Sequence, residues 1–309
     1  MPTDATFVSR KAAGEHDLAR LYDLATATPD DALHVADLPW RLSSPSARLP
    51  PRTRLWEDAG GALAAWAVLQ FPWHCLDYAI RPDARSADLE AAVLAWAGGR
   101  LEAEGADRAG RLPFYVSARA HDGARIAAIE RAGFARDGWS YIRLVRDLDR
   151  PILAPRLPAR YKVRPLAGER EVDAYVAAHR AAFGSVNMTA DWRRATLRDP
   201  RYVPALDLVA VGPEGNLVGF CVGWITPPLA ALVGRRVAQV EPLGVVPEHQ
   251  RKGIGRALLV EVLRRAKAHG ADRLEVDAES YNDASRRVYE AVGFHHAGEA
   301  PFFLRSFGS

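Results

Sequence analysis

Cysteine, methionine and lysine are scarce in this 309-residue chain, with two, two and four of each. Cys75 and Cys221 fall in predicted strands of different halves, so no disulfide framework is available and a reducing, cytoplasmic setting is expected. None of the four lysines follows a glycine, which excludes the Gly-Lys-Ser/Thr phosphate loop of nucleotide hydrolases. No apolar run reaches the ~20 residues of a bilayer span. The opening MPTDATFVSRKAAGEHD lacks the apolar core of a signal peptide. Charge of one sign is missing too. The 41 basic and 38 acidic residues are interspersed and sum to +3, which argues against a nucleic-acid or membrane-surface protein. His295-His296 has no companion ligands at suitable spacing, so it reads as a solvated strand edge and no metal is expected. The length is enough for two ordinary domains.

What is present is organised around Val237 to Gly270, VAQVEPLGVVPEHQRKGIGRALLVEVLRRAKAHG. Val240, Leu243, Val245 and Val246 make a short apolar, β-branched run, read as a strand. Pro247 ends its ladder, having no N–H to donate. Gln250, Arg251, Lys252, Gly253, Ile254, Gly255, Arg256 and Ala257 then lead into a helix, in which Leu258, Leu259, Val262, Leu263 and Ala266 form one buried face. Two glycines permit close backbone approach. The unpaired N–H groups of a helix start sit at the positive end of its dipole. Such a place suits a diphosphate, and Arg251, Lys252 and Arg256 add positive charge. A dinucleotide fold wants a third glycine where Leu258 stands and no polar run between strand and glycines, although Glu275 and Asp277 lie near the position of a ribose-binding acid.

Taken in order, the first half reads as a helix over Ala13–Thr26 and an irregular stretch over Leu33–Pro51. Strands follow at Leu55–Glu57, Leu63–Gln70 and Leu76–Ile80, then a helix near Ala87–Glu104 and a strand near Leu112–Ala118. A helix over Gly123–Ala132 and a strand over Trp139–Leu148 complete it. Pro151, Pro155 and Pro158 mark a stiff linker. Domains are therefore expected at 1–150 and 161–309, joined by 151–160. The second half repeats the first. Leu63-Ala64-Ala65-Trp66 answers Leu217-Val218-Gly219-Phe220, Pro82 answers Pro247, and Glu130-Arg131-Ala132-Gly133-Phe134 answers Glu290-Ala291-Val292-Gly293-Phe294. The halves are not equivalent. Asp88 and Glu90 stand where the second half has Gly253 and Gly255, so like-charge repulsion and lost backbone approach oppose phosphate binding there.

Gln250-x-x-Gly253-x-Gly255, after a strand closing in Val-x-Pro, resembles the acyl-CoA motif of the GNAT acetyltransferase superfamily, and the resemblance runs from about Tyr161 to Phe303. The paired halves look like the tandem arrangement of mycothiol synthase-like enzymes. The resemblance implies an α/β (α+β) fold of two GNAT-like domains. Each would be a mixed, largely antiparallel sheet flanked by helices, with a splayed central strand pair. It implies acetyl-CoA as cosubstrate, no metal, and direct attack by an amine in a ternary complex. The first domain would be a degenerate copy without CoA. CoA would contact Leu243, Gly244, Val245, the loop and helix start from Gln250 to Ala257, Asn282 and Ser285, with the Leu243 N–H polarising the carbonyl.

Tyr289 occupies the family's acid position, within Asn282-x-x-Ala-x-x-x-Tyr289-x-x-x-Gly293-Phe294; the plain alternative is a core tyrosine. Asn282 also reads as a helix cap. Glu241 is the expected base, although many family members carry theirs where this chain has Gln239, and Asp277 and Glu279 are rivals. Trp40 and Ser43, in an odd polar-aromatic cluster, are candidate acceptor contacts. The expectation is an N-acetyltransferase for a small-molecule amine, monomeric or homodimeric, with no nucleic-acid or membrane partner. A protein or peptide N-acetyltransferase and a non-catalytic acyl-CoA-sensing module are the alternatives.

Overall fold

The computed structural model describes residues 7–28, 35–106, 110–225 and 234–308. Residues 1–6 of the leader reading and 33–34 of the irregular stretch lie outside them. By contacts the described chain divides in two. Unit 1 takes the residues up to Tyr141 and those from Gly298 onward; unit 2 is Ile142–Ala297. The proline-rich segment lies inside unit 2.

In unit 1, β1 (Val8–Lys11), β2 (Thr53–Glu57), β3 (Leu63–Gln70) and β4 (Cys75–Ile80) pair antiparallel in sequence order. β5 (Leu112–Ser117) joins β4 in parallel through the single pair Cys75–Tyr115. Residues 302–307 of the chain's final strand run antiparallel on β5. One sheet face packs on α3 (Ala87–Ala106) and α4 (Gly123–Arg131), burying Leu76, Val93, Ala97, Phe114, Ile129 and Phe303. α1 (Gly14–Thr26) packs on β3 and β4. The stretch expected to be irregular carries a short helix, α2 (Leu38–Leu42); Pro39 in its first turn gives up only an N–H that would be unpaired anyway.

Unit 2 has the same plan. The C-terminal part of β6 (Ala135–Asp147) flanks a sheet of β7 (Lys162–Pro165), β8 (Asp207–Val211), β9 (Leu217–Ile225), β10 (Val237–Val245) and β11 (Arg273–Glu279). β7 to β10 pair antiparallel, while β10 and β11 run parallel. α7 (Ile254–Ala268) and α8 (Asp283–Glu290) cover one face, with Leu258, Leu259, Val262, Leu263 and Ala266 in the core as their spacing predicts. α5 (Val172–Phe183), followed by α6 (Ala190–Leu197), packs on β9 and β10. β12 (His295–Phe307) closes the chain; no local pattern in the sequence announced its length.

Candidate active site

The site is built on β10. Pro242 cannot donate to a ladder, and the register with β9 shifts between Val240 and Leu243. The parallel ladder to β11 covers only Val237–Gln239 against Arg273–Glu275, although both strands continue. Beyond Gln239 the pair is therefore splayed. Val246 donates to the Val218 carbonyl at 2.9 Å. Antiparallel pairs alternate between bonded and non-bonded, so Leu243 and Val245 turn their backbone groups away from β9, toward the open side. The Gln250 amide reaches the Val245 carbonyl there at 3.0 Å.

Gly244 has no room for a side chain. A Cβ would meet the Phe220 ring, one carbon of which lies at 2.9 Å, and the Ala182 methyl at 3.1 Å. After the turn Pro247–His249, the Lys252 ammonium bonds the Glu248 carbonyl at 3.0 Å. Arg251 and Gly253 are both left-handed, with φ of 60° and 79°. Gly253 is the N-cap of α7 and supplies no side-chain bond, so the helix start presents bare N–H groups. A Cβ on Gly253 would meet nothing within 4 Å, and one on Gly255 only the Val245 methyl at 3.5 Å. The chain's own packing leaves that volume open. Ile254, Ala257 and Leu258 anchor the helix in the core, while Arg256 stays exposed. An anionic ligand with a narrow arm fits these features.

α8 starts as its sequence suggests: the Asn282 side chain accepts from the Ser285 N–H at 3.0 Å. Tyr289 is buried against Phe294, with ring centroids 5.5 Å apart, one helical turn after Ser285. Burial holds its pKa far above the ordinary tyrosine range, so it stays protonated. The half-buried Glu241 accepts the Trp224 indole N–H on its backbone carbonyl at 2.8 Å, and its charge acts on Tyr289, Tyr175 and Cys221. Glu241, Leu243, Gly253, Gly255, Ser285 and Tyr289 thus belong to one unit, around the splayed strand.

Asp277 is held by Arg143 through bonds of 2.8 and 2.6 Å, and Glu279 lies 3.4 Å from the Asn282 amide. Gln239 is buried, with its Oε1 unbonded. Trp40 and Ser43 lie in the interior of unit 1. The Ser43 hydroxyl bonds its own helix at the Pro39 carbonyl, 2.6 Å away, so this pair does not present an open surface. Sequence reasoning missed Phe220 and the α5 side chains Tyr175 and His179 that stack near it, because ordinary apolar patterning hides such contacts.

Residues 172–294 match the Acetyltransferase (GNAT) family profile. Mycothiol acetyltransferase of Kineococcus radiotolerans is 33% identical over 208 residues, 58% of this chain and 65% of that protein. The Thermobispora bispora protein of the same name is 31% identical over 64% of this chain and 67% of its own length. The matched region therefore spans about two thirds of these relatives. Among solved structures, a GCN5-related N-acetyltransferase from Sphaerobacter thermophilus superposes with a TM-score of 0.66 at 20% identity, covering 97% of this chain and 95% of that one. A tandem GNAT protein from the clavulanic acid biosynthesis pathway gives 0.66 at 18%, covering 97% and 98%. At these identities the two structures speak for the fold, and the Thermobispora relative for descent. The chain belongs to the GNAT acetyltransferase family.

Proposed function

We propose that unit 2 is an N-acetyltransferase that moves an acetyl group from acetyl-CoA to an amine of a small molecule, in a ternary complex. The observation that carries this reading is the splay of β10 from β11, leading directly into a glycine-faced helix start. Acetyl-CoA supplies an activated acetyl thioester. The N–H groups of α7 and the cations Arg251 and Arg256 hold its phosphates. Gly244 keeps the strand thin, and the Leu243 N–H, turned away from β9, would polarise the thioester carbonyl. Glu241 takes the proton released when the amine nitrogen forms its bond to the acetyl carbon. The carbon–sulfur bond breaks, and Tyr289 gives its proton to the departing sulfur. Burial keeps that hydroxyl protonated until the sulfur departs. Unit 1 serves as a copy without a working CoA site. The reading places the protein in the cytoplasm, and the names of its relatives put mycothiol-type acceptors first among those to try.

The test is thiol release from acetyl-CoA across an amine panel, with mass spectrometry of the products. Acetylated amine supports the reading. Tight acetyl-CoA binding without turnover on any amine, peptide amines included, would favour a sensor instead.

A further inference from the structure

Unit 1 keeps the scaffold of the cradle. Arg81 and Val246 have nearly the same backbone angles (φ −57° and −56°, ψ 133° and 135°), each before a proline-led turn. Arg81 donates to Ala64 at 2.8 Å, as Val246 does to Val218 at 2.9 Å. β4 leaves β5 after Cys75, so the splay is present too. The burial of α3 and α7 aligns Leu89 with Ile254 and Glu90 with Gly255. The same registers set Tyr78 against Leu243, and the helix caps Asp122 and Asn282 set Arg125 against Ser285.

Tyr78, Glu90 and Arg125 are bonded to one another. Tyr78 Oη and Arg125 Nε both donate to Glu90 Oε1, each at 2.9 Å. The Arg125 guanidinium lies 4.4 Å above the Tyr78 ring. Glu90 and Arg125 are almost wholly buried. α3 also begins earlier in register than α7, and Ser86 Oγ caps it by accepting from the Leu89 N–H at 3.2 Å, a bond that the N-cap Gly253 of α7 does not supply.

We infer that unit 1 carries a built-in occupant: the Glu90 carboxylate, clasped by Tyr78 and Arg125, fills the volume that unit 2 leaves open between Leu243, Gly255 and Ser285. This rests on the proposed acyl-CoA site of unit 2 and adds two things to it. The three side chains show where a narrow ligand arm passes in unit 2, because their counterparts converge on one point. They also explain why the first cradle is closed: a buried carboxylate with two charge-assisted or polar donors is a satisfied group that water and phosphate do not displace. The sequence alone reads Glu90 as a repelling charge; the structure makes it a plug.

The experiment grafts the plug onto unit 2. Gly255→Glu alone buries an unpartnered carboxylate and should lower Tm. Adding Leu243→Tyr and Ser285→Arg should return Tm toward wild type, while calorimetry with coenzyme A should show affinity reduced at least tenfold. Failure of the two added substitutions to restore Tm would overturn the convergence. A stable triple variant that binds coenzyme A like wild type would overturn the plug. If wild-type protein takes up no coenzyme A, the acyl-CoA reading fails by itself, and the Tm rescue still decides whether the three positions converge.

Discussion

Arg143 on β6 grips Asp277 on β11 with two nearly parallel bonds, Nε to Oδ1 at 2.8 Å and Nη2 to Oδ2 at 2.6 Å. Both carboxylate oxygens thus already accept from one guanidinium, a bidentate pairing that a proton taken up by Asp277 would have to displace. Taking a proton from an amine would break this clasp. Glu241, on the strand that leads into the cradle, is the base we propose.

Glu241→Gln should therefore lower turnover by roughly 10²- to 10⁴-fold near neutral pH and flatten the acidic limb of the pH–rate profile. Asp277→Asn should leave that limb in place. Initial rates of thiol release from pH 5 to 9 make the comparison, and a limb that vanishes only in the Asp277 variant would reassign the base.

Tyr289→Phe keeps the ring and its packing on Phe294. We expect kcat and kcat/KM to fall together by about 10²-fold with KM nearly constant, since the hydroxyl is needed only as the sulfur departs. Burial raises the phenol's pKa, so the wild-type profile should show no loss of activity through the ordinary tyrosine range. An inflection there that disappears in Tyr289→Phe would contradict a buried, always protonated donor.

Gly244→Ala forces a methyl into the Phe220 ring and the Ala182 methyl. Overpacking of this kind costs about 1–3 kcal/mol. Phe220→Leu, added to it, should recover part of the loss. Urea midpoints of the single and double variants test this, and an additive double variant would mean that the two residues do not share one volume.

His179 lies against Phe220, centroids 5.4 Å apart. Burial, aided by the Arg193 and Arg180 charges, pushes its pKa from 6.5 down to about 4. The unfolded chain binds this proton near 6.5, the folded chain only near 4. The stability is thus complete above the first value and is lost as pH falls toward the second, by on the order of 3 kcal/mol. His179→Phe should remove that slope, measured as the difference in denaturation midpoint between pH 7 and pH 4.5.

The helices and strands that surround the site were legible because their signals are local. The face Leu258–Ala266, the cap Asn282 and the turn at Pro247 each announce themselves within a few residues. Glu90 was visible as an acid in a glycine's place, but its partner Arg125 lies 35 residues away and nothing local joins them. Trp40 and Ser43 read as candidate acceptor contacts because a polar-aromatic cluster resembles a binding loop; that both are buried depends on other elements and is not written locally. The Gly244–Phe220 contact crosses two strands, and its register is set by the bulge at Pro242 rather than by either residue.

The strand that closes unit 1 is translated after all of unit 2. Residues 302–307 pair with β5, and Phe303 and Phe307 sit in the core beside Phe114. During synthesis the earlier part of unit 1 emerges first, yet it waits with an unpaired β5 edge and a gap in its core while the whole second unit is made. Folding order is then opposed to translation order: the half that is read first is finished last, and in the interval its exposed edge is what a chaperone or a second nascent chain would meet.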